Sequence, residues 1–177
     1  RWGEIFPLSG LGGLPFTGKT GWAAFSGHVA DDGNIILVFA PHVGIDHDGN
    51  VGKINRKGQS KSTAACGAAI GALANLRKDP TNGDFKNGYK DQQMDTIMHK
   101  LKPHVEEISK HENENVALVY KMYEIAKEFV EDVVDLEWQK SKKNQLAIIG
   151  GIMINTEGEK TDMFLPLMFE LRCKHSP

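Results

Sequence analysis

This sequence contains little cysteine, no long apolar run and no large excess of charge of either sign. Only Cys66 and Cys173 occur among 177 residues, too few for a fold built on disulfide bonds. Free or metal-bound thiols in a reducing compartment fit this count better than a single disulfide. No run of about 18 apolar residues is present, so no membrane-spanning helix is predicted. The net charge of −2 argues against nucleic acid or an anionic membrane as a partner.

The rest of the composition is that of an ordinary globular protein. Hydrophobic residues make up 40% of the chain and charged residues 25%, both close to the averages for soluble domains. This length is enough for one domain with a sizeable core, so we predict a single domain over residues 1–177. The chain opens on Arg1 without a signal-like apolar run, and we expect this domain to lack its N-terminal segment.

Apolar periodicity predicts strands and helices that alternate along the chain. The predicted strands cover residues 22–29, 34–40, 145–155 and 163–172, the last at a sheet edge because of Pro166. The predicted helices cover residues 64–77, 90–110 and 113–139, and Pro103 should kink or split the second of them. This alternation favours an α/β fold with a mixed sheet.

The most conspicuous short motif is a phosphate-loop pattern at residues 13–20, GLPFTGKT. In such a loop, backbone N–H groups surround phosphates and the lysine meets their charge. A phosphate loop needs a buried strand before it and a helix after it, whereas a proline interrupts residues 1–10 and residues 22–29 resemble a strand. We therefore interpret residues 13–20 as a tight glycine loop that lines a pocket, with nucleotide binding as the alternative.

One cysteine and two histidines are candidates for a metal site. Cys66 falls in the first turn of a predicted helix, where the helix dipole favours the thiolate, the form that binds metal. His28 and His42 each follow a predicted strand, and functional sites gather where strands end at one edge of an α/β sheet. A thiolate with one or two imidazoles from separate elements suits tetrahedral zinc. The alternative for Cys66 is a small buried side chain.

Several segments of the chain resemble one known family. In order along nearly the whole sequence they are GLGGLPFTGKTG (10–21), HV (28–29), PHVGID (41–46), RKGQ (56–59), TAACGAA (63–69) and GGIMIN (150–155). Together they resemble the low-CO2-inducible protein B family of algae, also called theta carbonic anhydrases, a cysteine-glycine-histidine-rich domain. The family's own glycine loop accounts for the phosphate-loop pattern.

The resemblance implies a fold and a metal site. The fold would be a three-layer α/β/α domain with a central mixed sheet, similar to the β-class carbonic anhydrases. Two cysteines and one histidine would hold Zn2+, with His28 as the histidine and Cys66 as the later cysteine. The earlier cysteine belongs to a Cys-x-Asp segment, which this sequence does not contain. We expect that segment upstream of Arg1.

The resemblance also implies a reaction, the zinc-dependent reversible hydration of CO2 to bicarbonate in inorganic-carbon concentration. His42 is the candidate catalytic residue, as a proton shuttle or pocket residue, and the alternative third ligand if the upstream cysteine is absent. A chloroplast location and a homodimer are expected, with the cytoplasm and a hetero-oligomer of paralogues as alternatives. The alternative function is that of a catalytically inactive assembly partner.

Overall fold

The chain has a strand-rich first part, a helical middle and two long strands at the end. The structure is a computed structural model that describes residues 5–157 and 161–174, apart from the side chain of Tyr89. The strands are β1 (Asn34–Phe39), β2 (His42–Ile45), β3 (Lys53–Ile54), β4 (Thr63–Ala64), β5 (Gln145–Thr156) and β6 (Met163–Cys173). The α-helices are α1 (Gly18–Gly27), α2 (Gly67–Lys78), α3 (Gln92–Leu101), α4 (Val105–Ser109), α5 (Glu114–Phe129) and α6 (Asp135–Lys140).

The main sheet is organised around β5. Two strands pair in parallel with the same edge of β5. The pairing of β1 begins with Asn34 opposite Gln145, and that of β2 begins with His42 opposite Met153. Along the other edge, β6 pairs with β5 in the antiparallel sense and is itself an edge strand. The short strands β3 and β4 form a separate hairpin. The predicted α/β fold with a central mixed sheet is therefore confirmed, as is the edge position of the last strand.

The core lies between one face of the sheet and the helices. Leu146 and Ile148 of β5 are fully buried and belong to one apolar cluster with residues of α2, α3 and α5. Phe39 of β1 stacks on Tyr123 of α5, with ring centroids 5.5 Å apart. Burial of this apolar surface is the main contribution to folding stability, and it fixes the position of α5 over the sheet.

The predicted strand over residues 22–29 is wrong, because Gly18–Gly27 form the helix α1. Trp22 and Phe25 are three residues apart, which is a helical spacing. Their rings contact each other edge-on with centroids 5.5 Å apart, and Trp22 is buried in the core. The glycine loop is thus followed by a helix, contrary to the expectation from sequence. It is preceded by a 3-10 turn at Leu11–Gly13 rather than by a strand.

The other helix predictions are confirmed with local breaks. The helix predicted over residues 90–110 is divided into α3 and α4 by a 3-10 turn that contains Pro103, as expected because proline lacks an N–H group. The helix predicted over 113–139 consists of α5, a π-helical turn at Val130–Val134 and α6. In the part of the chain that the structure describes, no helix is both long and apolar enough to cross a bilayer.

Two adjacent glycines let neighbouring elements approach β5 closely. The register between β5 and β6 shifts between Gly150 and Gly151. A Cβ atom at Gly150 would lie 2.4 Å from Cζ of Phe39, and one at Gly151 would lie 2.3 Å from the carbonyl oxygen of Leu165. The second contact is with backbone, so relieving it requires a shift of β6 away from β5.

We predict that Gly151→Ala destabilises the protein by roughly 1–3 kcal/mol, because its methyl group overlaps a rigid neighbour. Urea unfolding followed by circular dichroism measures this change. The matched control is Gly71→Ala in α2, where an added Cβ has no neighbour within 4 Å. The control should leave stability unchanged or raise it by up to about 1 kcal/mol. Equal unfolding free energies for the two variants would contradict this account of the β5–β6 contact.

Candidate functional site

A break between β1 and β2 places His42 at the edge of the sheet. Ala40 and Pro41 separate the two strands, and the N–H of Met153 in β5 donates a hydrogen bond to the carbonyl oxygen of Pro41 at 2.9 Å. The chain therefore stays attached to β5 across the break. His42 begins β2 directly after the carboxyl end of β1 and is half-buried. Its position agrees with the general location of sites in α/β sheets.

Cys66 is held beside β2 by a small backbone network. The N–H of Gly44 donates to the carbonyl oxygen of Ala65 at 3.0 Å. The N–H of Ala65 donates to the carbonyl oxygen of Gly52, also at 3.0 Å. The N–H of Gly52 in turn donates to the carbonyl oxygen of Gly44 at 2.8 Å. A Cβ atom at Gly44 would lie 2.8 Å from the Cβ of Ala65, so only glycine allows this approach. Cys66 follows as the buried N-cap residue of α2.

His42 and Cys66 line the same small cavity, and each shifts the pKa of the other. Hydrogen bonding to Cys66 raises the pKa of His42 above its ordinary value, against the lowering effect of burial. Burial acts to raise the pKa of the Cys66 thiol, but hydrogen bonding to His42 and to the backbone N–H groups of Ala69 and Ala68 lowers it by more. The net pKa of Cys66 is therefore below that of an ordinary thiol. Both shifts favour a thiolate beside a protonated imidazole.

A small cavity adjoins this pair. Its volume is about 10 Å3, which is the space for about one water-sized group. Its walls are mostly apolar and include Pro41, Val43, Ala69, Leu118, Val119 and Met122. Asn115 is a polar member of the wall, and its Nδ2 donates a hydrogen bond to the carbonyl oxygen of Val51 at 2.8 Å. The cavity therefore suits a very small molecule and is far too small for a nucleotide.

The predicted glycine loop at residues 13–20 lies next to this cavity in sequence, through Gly12, but none of residues 13–20 is part of the cavity wall. Gly12 is part of the cavity wall, and a Cβ atom at Gly13 would lie 2.9 Å from the Cα of Pro41. Several N–H groups of the loop donate to carbonyl oxygens of the loop itself. The ammonium group of Lys19 lies 3.6 Å from a carboxylate oxygen of Glu137. The N–H groups of Gly13, Leu14 and Phe16 and the ammonium group of Lys19 thus have partners within the protein.

His28 and His42 have different surroundings in the structure. His28 follows the last residue of α1, is exposed, and stacks on Phe6 with ring centroids 5.7 Å apart. Within the described residues, it is not part of the cavity wall. Its role as a metal ligand stays a prediction from the sequence. The histidine that the fold places beside Cys66 is His42, and its position after the apolar run 34–40 was the signal available in the sequence.

The donor chemistry of the pair fits zinc. Thiolate sulfur and imidazole nitrogen are the ligands that zinc prefers, and a catalytic zinc site has three protein ligands with a fourth position open. Over residues 5–157 and 161–174, no group of three or more histidine, cysteine, aspartate or glutamate side chains is arranged to hold a metal ion. Cys66 and His42 are donors of the kinds that zinc takes, but the described residues place no third ligand beside them.

Comparison with known proteins finds relatives over almost the whole chain. A family model described as limiting CO2-inducible proteins B/C, beta carbonic anhydrases, matches residues 1–173. The crystal structure of PtLCIB4, a homolog of the limiting CO2-inducible protein LCIB, is 31% identical with a TM-score of 0.86, covering 97% of this chain and 71% of that chain. A histidine-to-alanine mutant of that homolog gives 30% identity and a TM-score of 0.85, covering 96% of this chain and 69% of that chain.

A more distant structure supports the fold alone. The crystal structure of limiting CO2-inducible protein LCIB is 18% identical to this chain, with a TM-score of 0.66, and the match covers 94% of this chain and 67% of that one. No curated protein sequence matches the chain.

We predict that the Cys66 thiol ionises below the usual pH for a thiol in metal-free protein carrying Cys173→Ser. Adding His42→Ala should raise the pKa of Cys66, because the partner that favours the thiolate is lost and burial remains. The ultraviolet absorbance of the thiolate against pH measures this shift. His47→Ala, in an exposed turn, is the control and should leave the midpoint in place. An unchanged midpoint in His42→Ala would show that the two side chains are not paired.

Proposed function

The chain belongs to the limiting CO2-inducible protein B/C family, and on that premise we propose that it catalyses the zinc-dependent interconversion of CO2 and bicarbonate. The domain is carbonic-anhydrase-like, and its family is connected with CO2 concentration. The observation that carries the proposal is that His42 and Cys66 together line a cavity with space for about one water-sized group.

We propose His42 and Cys66 as two of the zinc ligands. The lowered pKa of Cys66 favours the thiolate, the form that binds metal, and metal binding would displace the proton that hydrogen bonding to Cys66 favours on His42. A ligand role for His42 is preferred to that of a proton shuttle, because the side chain is half-buried and engaged with Cys66. The third ligand expected from the resemblance is the cysteine of a Cys-x-Asp segment, with His28 as the alternative histidine.

When bound, zinc would supply Lewis-acid chemistry that makes water a nucleophile near neutral pH. The residues of the cavity wall would exclude water and orient the substrate. The apolar walls formed by Val43, Leu118 and Met122 keep bulk water out and match a small apolar substrate such as CO2. Asn115, fixed by its hydrogen bond to Val51, is the polar group of the wall that is available to orient the substrate.

The setting of the reaction is proposed from the resemblance. The substrates would be CO2 and bicarbonate, and the role would be inorganic-carbon concentration in the chloroplast, with the cytoplasm as the alternative. The chain would work as a homodimer, with an assembly of paralogues as the alternative.

A catalytically inactive assembly partner is the second candidate function. The observation that favours it is the donor count, since the described residues do not provide a three-ligand metal group. Zinc binding without CO2 hydration would support this candidate. Nucleotide binding at residues 13–20 is not favoured, because the adjoining cavity is too small and Lys19 pairs with Glu137.

We predict that His42→Ala and Cys66→Ser each weaken zinc binding by more than about 100-fold. Removing a residue that only supports a zinc ligand already costs up to about 100-fold, and removing a ligand should cost more. CO2 hydration should fall with zinc content, because the metal generates the nucleophile. Metal analysis of the full-length protein and stopped-flow CO2 hydration measure the two effects. His28→Ala and Cys173→Ser are the matched controls, since both side chains are exposed, and both should keep zinc and activity.

The possible results separate the assignments. Loss of zinc in His28→Ala with full zinc in His42→Ala would contradict the pair proposed here and support the assignment from sequence. Full zinc in Cys66→Ser would reject the site altogether. Full zinc without hydration in the unmodified protein would favour the inactive partner.

A further inference from the structure

The chain between β2 and α2, residues 46–65, leads to Cys66 at the candidate site, and we call this segment the arm. One end of the arm is held against β2 by the backbone hydrogen bonds that join Gly44, Gly52 and Ala65. The remainder consists of the β3–β4 hairpin and its loops, and most of the arm is exposed. The position of Cys66 therefore also depends on what holds the outer end of the arm.

One carboxylate holds that outer end. Glu157 directly follows β5 and is half-buried. Its Oε2 accepts a hydrogen bond from the N–H of His47 at 3.0 Å. Its Oε1 accepts from the N–H of Asn55 and, at the longer distance of 3.5 Å, from the hydroxyl group of Ser62. A single side chain thus joins the main sheet to three points of the arm, which lie after β2, after β3 and before β4.

The register of the hairpin explains why these groups meet. Ile54 of β3 lies opposite Thr63 of β4, so Asn55 and Ser62 are the next two residues outward. An acceptor between them extends the pairing of the two strands beyond their last rung and satisfies a backbone N–H group. Hydrogen bonds from N–H groups to a carboxylate are stronger than those to a neutral oxygen, which makes Glu157 an effective anchor.

The charge of the arm also suits a carboxylate at this place. Residues 51–64 contain no acidic residue and four cationic ones, Lys53, Arg56, Lys57 and Lys61. Opposite charges attract over several ångströms near a protein surface. A glutamine in place of Glu157 would lack this charge. It would also offer only one acceptor oxygen, and its NH2 group would face an N–H donor.

The arm brings a second charged group to the site. Arg56 follows Asn55, and its Nη1 donates a hydrogen bond to Oγ1 of Thr63 at 3.1 Å. Hydrogen bonding to Cys66 raises the pKa of His42, whereas burial and the charge of Arg56 act in the opposite direction. Arg56 therefore lies close enough to His42 for its charge to act there.

We propose that Glu157 is a positioning residue of the candidate site, whose carboxylate fixes the outer end of the arm and thereby keeps Cys66 and Arg56 beside His42. The inference rests on the proposed function, because the site that Glu157 serves is the proposed zinc site. The hydrogen bonds of Glu157 themselves need no metal, so they can be tested separately.

The variant Glu157→Gln tests the proposal in the full-length protein. We expect its zinc dissociation constant to rise by about 10-fold, the lower end of the effect of losing a residue that supports a zinc ligand. Competition with a chelator measures this change. In the Co2+-substituted protein, the absorption band from thiolate to metal should also change, because the sulfur of Cys66 would shift relative to the metal.

The matched control is Asp162→Asn. Asp162 lies at the same end of β5 and also accepts from a backbone N–H, that of Thr156 at 3.0 Å, and from Nδ2 of Asn155 at 2.9 Å. The control removes the same charge but affects the connection of β5 to β6 instead of the arm. It should leave the zinc dissociation constant and the cobalt spectrum unchanged.

Hydrogen exchange of the metal-free protein tests the anchor without zinc. In Glu157→Gln the amides of residues 46–50 and 55–66 should exchange faster than in the unmodified protein, because the arm opens locally. The amides of β1 and α5 should keep their rates, and Asp162→Asn should leave the exchange of the arm unchanged.

Each result decides the proposal. Unchanged zinc affinity in Glu157→Gln overturns it, even where the arm exchanges faster, because Glu157 would then stabilise the arm without positioning the site. Faster exchange throughout the chain would show a general loss of stability and would overturn it too. If the glutamine variant fails to fold, Glu157→Asp keeps both acceptor oxygens on a shorter side chain and should show the same effects to a smaller degree.

The failure of the proposed function gives a different result. An unmodified protein that binds no zinc would contradict the zinc site and leave the hydrogen bonds of Glu157 as they are. Exchange of the arm in Glu157→Gln, with residue 66 included, would then decide the proposal by itself.

Discussion

The backbone hydrogen bonds of β5 hold β1 and β2 on one edge and β6 on the other. The position of the candidate site depends on this pairing. β1 and β2 share the same edge of β5 because the chain bends at Ala40–Pro41 without leaving the sheet. Proline has no N–H group, but its carbonyl oxygen accepts from Met153 and preserves the attachment. His42 is thereby fixed at the start of β2, where it lines the cavity together with Gly12 and Cys66.

Close backbone approach is the second requirement of the site. Gly44 and Gly52 hydrogen-bond with each other and with Ala65, and side chains at either glycine would overlap with neighbours. Cys66 therefore lies at the start of α2 and beside His42 at the same time. Burial alone would make its thiol harder to ionise, but hydrogen bonding from His42 and from the first N–H groups of α2 reverses this effect on its pKa. A buried thiol that still favours the thiolate is suited to a soft metal ion.

The two faces of the sheet have different environments. The core face is covered by helices, and its residues Leu146 and Ile148 are fully buried. Strands with parallel pairing are usually covered on both faces, yet Val38 and Phe169 on the other face are exposed.

Local sequence patterns determined the strands β1, β5 and β6, the helical middle with its break at Pro103, and Cys66 at a helix start, because each depends on neighbouring residues. The short run 22–29 was misassigned, because apolar runs of this length fit a strand or a helix and the packing of Trp22 decided for the helix. His28 and His42 looked equivalent in sequence, each at the end of an apolar run. Only the tertiary structure distinguished them, because contact with Cys66 depends on strand pairing and glycine packing between segments far apart in the chain.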